Sequence, residues 1–147
     1  MSDNTMTRVT DSDQPMYGPR TLLVCGYSAD AQDAFLNMLK TEVKAPTPVV
    51  FCTPEDGDTL LSELVSLPDG RQKGREGKMP PAVIMSGITE KELKLIMNGW
   101  KTLGLPRQLW AALTPTSETW TLRALIRELQ SEYMAMLKQQ QQQQQQQ

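Results

Sequence analysis

Apolar residues fall along this chain in four short runs, each followed by a stretch with helical spacing. The first run, Thr21 to Tyr27, is broken at Gly26 and reads as a strand. From Ser28 the spacing turns helical: Phe35, Leu36 and Leu39 recur on one side, with Ala31 and Met38 beside them. Ala45-Pro46-Thr47-Pro48 stops that helix, because proline lacks the N–H and restrains the residue before it. Val49 to Cys52 is the second strand. Thr53-Pro54-Glu55-Asp56 reads as a helix start, with a hydroxyl cap, a first-turn proline and two acids at the positive end of the dipole. Gly57 moves that start toward Asp58. Leu60, Leu61, Leu64, Val65 and Leu67 then supply an apolar face.

Residues 68–81 form a linker bracketed by Pro68-Asp69-Gly70 and Pro80-Pro81. Beyond it the pattern starts again. Ala82 to Met85 is a strand and Ser86-Gly87 a turn. Thr89 with Glu92 makes a capping box, and Leu93, Ile96, Met97, Trp100 and Leu103 line one helical face. Gly104 ends that helix and Pro106 keeps the chain from re-entering it. Leu109 to Leu113 is the fourth strand. After a turn at Thr114 to Thr119, residues Leu122, Leu125, Ile126, Leu129 and Tyr133 stripe a last helix that can reach Lys138. The lead-in, 1–20, is polar and aperiodic and reads as disordered, and 139–147 is a poly-Gln tail.

The second pattern is the first one displaced by 61 positions. Residues 21–67 fall onto 82–128 without a gap. Gly26 lands on Gly87, Asn37 on Asn98, Lys40-Thr41 on Lys101-Thr102, and Thr53-Pro54 on Thr114-Pro115. The chain therefore reads as one α/β domain, 21–138, built from an internally duplicated β-α-β-α unit. Alternating elements and strands that are apolar throughout predict a mostly parallel four-stranded sheet with helices on both faces, its first and third strands central. The alternative is a ferredoxin-like α+β sandwich with an antiparallel sheet.

Composition removes more chemistry than it suggests. The chain has no histidine, so the commonest general base and the commonest metal ligand are both missing. Cys25 and Cys52 lie in strand-like apolar runs and read as core thiols. A net charge of −2 offers no bulk attraction to nucleic acid or acidic membrane, and the linker's Arg71, Lys73, Arg75 and Lys78 read as a solvated loop. No apolar run is long enough to span a membrane and no secretory signal is visible, so a cytoplasmic location is the expectation. No cofactor motif is present, and no metal site or catalytic residue is assigned.

If the sheet is parallel, ligands bind beyond the strand ends, where free helix N–H groups hold anions. The candidate anion contacts are Gly26, Ser28, Gly87 and Thr89, although serine and threonine there serve first as caps. Asp56 and Glu118 occupy equivalent turns and would form a carboxylate pair only if a cleft joined them. Trp120, Leu122 and Tyr133, on the last turn and helix, are the candidate interaction surface.

The segment from Pro81 to Tyr133 also resembles a known bacterial family, domain of unknown function 3783. The resemblance rests on Val83-Ile84-Met85-Ser86-Gly87, the helix opening Thr89-Glu90-Lys91-Glu92-Leu93, and Leu113-Thr114 running on to Trp120-Thr121-Leu122 and Leu125. It implies a small cytoplasmic protein with a weaker first half of the same pattern, and brings no activity, cofactor or catalytic residue. Two functions are then expected. The first is a non-catalytic protein-interaction or oligomerisation domain, whose partner is another copy or an unidentified protein. The second is a regulatory sensor binding a small anionic ligand or nucleotide at the strand ends.

Overall fold

The four apolar runs become four strands of one sheet: β1 (Thr21–Cys25), β2 (Val49–Cys52), β3 (Ala82–Ser86) and β4 (Leu109–Ala112). A computed structural model describes residues 13–105 and 107–145, so Pro106, most of the lead-in and the last two glutamines lie outside the described residues. Between the strands lie helices α1 (Ala29–Glu42), α2 (Leu61–Leu64) and α3 (Glu90–Lys101), and α4 (Leu122–Gln145) follows the last strand. The strand order is β2-β1-β3-β4. The fold is mixed α/β with the first and third strands central.

The sheet is not mostly parallel. β1 pairs with β2 and β3 with β4 in parallel, but β1 and β3 meet antiparallel at the centre. It is not the antiparallel ferredoxin-like sheet either. Both central strands are buried along their whole length, and that pattern is the same whichever way the neighbour runs.

The pairing follows the 61-residue offset. Leu23 pairs with Ile84, its own counterpart, at the middle of the central ladder. Leu22 pairs with Val49, and Val83 with Trp110, each 61 residues further on. Below the sheet, Leu60 forms an isolated antiparallel bridge with its counterpart Thr121. The Leu61 N–H donates to the Trp120 carbonyl, and the equivalent Leu122 N–H donates to the Thr59 carbonyl. Above it, Gly99 of α3 lies against Met38 of α1, again 61 apart. All three contacts join residues 61 positions apart.

Alternate side chains face opposite layers. Leu22, Val24, Val49, Phe51, Val83 and Met85 pack with Phe35 of α1 and Ile96 of α3. Leu23, Cys25, Val50, Cys52 and Ile84 pack with Leu61 and Leu64 of α2 and with Leu122, Leu125 and Ile126 of α4. Phe35, Ile96 and Leu122 are fully buried, each worth about 1.5–3 kcal/mol of transfer free energy.

Helix starts follow the caps. The Ser28 hydroxyl accepts from the Ala31 N–H at 3.2 Å, opening α1. Thr89 accepts from the Glu92 N–H at 3.0 Å while Glu92 accepts from the Thr89 N–H at 2.9 Å, opening α3. The helix expected after Thr53 is much shorter than its apolar residues suggest. Pro54–Asp56 is a 3₁₀ turn, the chain then extends so that Leu60 meets Thr121, and α2 takes only four residues.

The linker is exposed over most of its length, but residues 69–72 lie along the outer edge of β2 and satisfy the outward N–H and C=O of Val49 and Phe51. The Val49 N–H donates to the Asp69 carboxylate at 2.8 Å and the Val49 carbonyl accepts from the Gly70 N–H at 2.8 Å. The Phe51 N–H donates to the Arg71 carbonyl at 3.1 Å, and the Phe51 carbonyl accepts from the Gln72 side chain at 3.0 Å. Three of its basic residues are taken by acids: Arg71 by Asp56, Lys73 by Asp33 and Arg75 by Glu55. Part of the lead-in is built in as well, since the Met16 N–H donates to the Ile88 carbonyl and the Gly87 N–H to the Tyr17 carbonyl.

Candidate functional site

The central antiparallel pairing separates residues that a parallel sheet would have gathered. Gly26 and Ser28 follow β1, whereas Gly87 and Thr89 follow β3, which runs the other way. The two turns lie at opposite ends of the sheet and cannot share one ligand. Each glycine has a positive φ and is closed over by its own chain. A Cβ on Gly26 would lie 2.5 Å from the Met79 carbonyl oxygen and 2.9 Å from the Pro81 nitrogen. One on Gly87 would lie 2.6 Å from the Arg20 nitrogen, among Gly18, Pro19 and Arg20. These glycines admit the segments that lead into the neighbouring strands.

The helix N-termini beside them already hold carboxylates. The Ala29 N–H at the head of α1 donates to Glu76 of the linker at 2.7 Å. At the head of α3, Glu92 caps Thr89 and takes a two-pronged ion pair from Arg20, at 2.8 and 2.7 Å. The Arg20 guanidinium is the main reason that the Glu92 carboxyl is held down to about 2. Arg20 also donates to Pro46 O and Thr47 Oγ1, tying the lead-in to the end of α1's loop.

Asp56 and Glu118 do not form a pair. They follow β2 and β4, which run in opposite directions, so they too lie at opposite ends of the sheet. Asp56 is buried and anchors the linker. Burial alone would raise its carboxyl, but the Thr53 N–H, Gln72 and Arg71 outweigh that and hold it below the ordinary range. Glu118 instead accepts a hydrogen bond from the Tyr17 phenol.

Cys25 and Cys52 stand side by side in register on β1 and β2, both buried. Their mutual hydrogen bond and then burial push the Cys25 thiol well above its ordinary value, so it stays protonated and poorly nucleophilic. Among the described residues no group of three or more Cys, Asp or Glu is placed to hold a metal. No helix of the described residues is long and apolar enough to cross a membrane.

The interaction residues divide. Leu122 is fully buried in the lower core and presents no surface. Trp120 is half-buried and packs on that same core. Tyr133 is half-buried beside Arg107, whose guanidinium lies 5.1 Å from its ring centre and donates to its hydroxyl. Beyond Tyr133, α4 is mostly exposed, with Leu137 half-buried. Met134 is 59% exposed and Met136 44% exposed. These methionines were missed in the sequence, although the run Tyr133-Met134-Ala135-Met136-Leu137 ahead of the glutamines was the signal for them.

A polar cluster also went unread. The buried Tyr27 hydroxyl donates to the side-chain carbonyl of Gln108, close to Trp100, which meets Trp110 edge to face at 5.7 Å. The residues 61 positions away from Tyr27 and Trp100 are Ile88 and Leu39, both in the apolar core, so the cluster exists at one end only.

Residues 81–136 match a family model described as "Domain of unknown function (DUF3783)". The match begins just before β3 and ends on the exposed part of α4, so the resemblance read in Pro81 to Tyr133 holds and extends to Met136. No curated protein and no solved structure matches the chain.

Proposed function

We propose, taking the family match of the second half as the starting point, that the chain is a cytoplasmic, non-catalytic domain made of two copies of one β-α-β-α unit, and that it works by oligomerising or by binding a protein partner. The duplication is supported by the contacts that join Leu23 to Ile84, Leu60 to Thr121 and Met38 to Gly99 at one offset. The interaction reading is carried by one observation: α4 continues past the domain with Met134 and Met136 in solvent.

A helical stretch with no packing partner is only marginally stable in water below about 12–15 residues, so this one gains from a surface to lie on. Methionine suits such a surface, being apolar and conformationally adaptable.

Light scattering coupled to size exclusion tests this, comparing the parent with the double variant Met134→Glu, Met136→Glu. The expected result is a parent mass above one chain, or a stable complex with a captured partner, lost in the variant. A one-chain mass for both proteins, with no partner captured from lysate, overturns it.

A further inference from the structure

The outer edges of the sheet are not treated alike. β2 and β4 are equivalent edge strands at the 61-residue offset, with Val49 matching Trp110 and Phe51 matching Ala112. On β2 the outward N–H and C=O of Val49 and Phe51 are all satisfied by residues 69–72. On β4 the inward groups are engaged, as the Leu109 N–H donating to the Pro81 carbonyl and the Leu113 N–H to the Met85 carbonyl show. By alternation the N–H and C=O of Trp110 and Ala112 point outward, and among the described residues nothing pairs with them. The stretch equivalent to the cover, 130–133, belongs to α4 instead.

Strand edges of this kind are usually blunted by a charge, a proline or a bulge. β4 reads Leu-Trp-Ala-Ala, all half-exposed and with none of these devices. We infer that the β4 edge is a pairing surface for the β4 of a second copy of this chain, joined antiparallel about a two-fold axis at Ala111.

The occupant follows from self-complementarity. With Ala111 on the axis, Trp110 of each copy stands opposite Ala112 of the other, a large side chain against a small one. Each such pair exchanges two backbone hydrogen bonds, so the outward groups of both strands are all used. No charge on the strand meets its like. The same axis sets the two α4 helices antiparallel on one face, since α4 packs against β4. A partner of unrelated sequence would not be bound to use every outward backbone group of Trp110 and Ala112 while setting a small side chain opposite the tryptophan.

The inference rests on the oligomerisation reading, and the test separates the two. Ala112→Pro removes an outward N–H that has no partner among the described residues, which edge strands tolerate. The full-length chain, Ala112→Pro and Met134→Glu, Met136→Glu are each weighed by light scattering over a hundredfold range of concentration. Hydrogen exchange of the Trp110 and Ala112 amides is followed in the parent over the same range. A two-chain mass that falls to one chain in Ala112→Pro, with both amides slowed at least tenfold at high concentration and released on dilution, supports the pairing.

A two-chain mass kept by Ala112→Pro but lost in the methionine variant overturns it, while leaving the oligomerisation reading standing. A one-chain mass with both amides protected places the chain's own residues on the edge and overturns it as well. Should Ala112→Pro fail to fold, amides of the parent that exchange fast at every concentration overturn the inference on their own.

Discussion

Gly99 of α3 faces Met38 of α1 so closely that a Cβ on the glycine would stand 2.6 Å from the methionine sulfur. The two helices meet there with one long and one absent side chain at the same point. Replacing Gly99 with leucine overfills the crossing and is expected to cost about 1–3 kcal/mol. Met38→Ala should restore part of that loss, because it vacates the space the leucine needs. A double-mutant cycle from urea unfolding checks the coupling, and simple additivity of the two changes would contradict this packing.

Gly26→Ala and Gly87→Ala are each expected to destabilise the fold by about 3 kcal/mol or more, through a left-handed backbone and a collision with neighbouring main chain. Gly70→Ala is the control. It also has a positive φ, but a Cβ there meets nothing within 4 Å, so it should cost only about 1–2 kcal/mol. Thermal unfolding of the three variants ranks them, and equal losses at all three sites would show that backbone strain alone is at work.

The Arg20–Glu92 pair makes stability depend on acid. The folded-state value of Glu92, about 2, lies below its ordinary 4.5, so the ionised form favours the fold. That contribution is complete above pH 4.5 and is lost as the pH falls toward 2. Glu92→Gln should lower stability at pH 7 by about 1–3 kcal/mol and flatten the curve between pH 5 and 2. Denaturant titrations across that range measure it, and a parent curve already flat there would refute the assignment.

Asp56→Ala removes the acceptor shared by the Thr53 N–H, Gln72 and Arg71. Gln72 is held at φ 61°, uncommon for a residue with a side chain, and loses one of its two amide contacts. A loss of about 3–5 kcal/mol is expected, as for one partner removed from a buried pair. The Phe51 amide, which donates to Arg71 O, should then exchange faster than the amides of β1. Unchanged protection at Phe51 would mean that the linker holds the edge without Asp56.

Much of this architecture is readable from residue order. Val49–Cys52 is the strand that its apolar run foretells, and Ser28 and Thr89 cap the helices as their side-chain chemistry requires. The direction of β3 against β1 is not readable, because a strand covered on both faces is apolar throughout in either orientation. That one ambiguity displaced the whole candidate site, since it decides whether Ser28 and Thr89 are neighbours or lie at opposite ends. Asp56 looked like an ordinary first-turn acid, and its burial comes from Arg71 and Gln72, brought back by a turn-rich linker whose path no periodicity encodes. Leu122 looked like a surface residue of an amphipathic helix, yet it is fully buried under the sheet with Leu61 and Leu64.

The strip of chain over β2 has a further meaning for growth. A molecule able to join others along one border only is spent once it has joined. Two such molecules close on each other, and no third can be added to the row. If both borders were open, the same backbone bonding would have no terminus, and the product would be a ribbon of indefinite length. If β4 pairs as proposed, residues 69–72 would decide between a particle of fixed size and a fibre, without touching the second copy themselves.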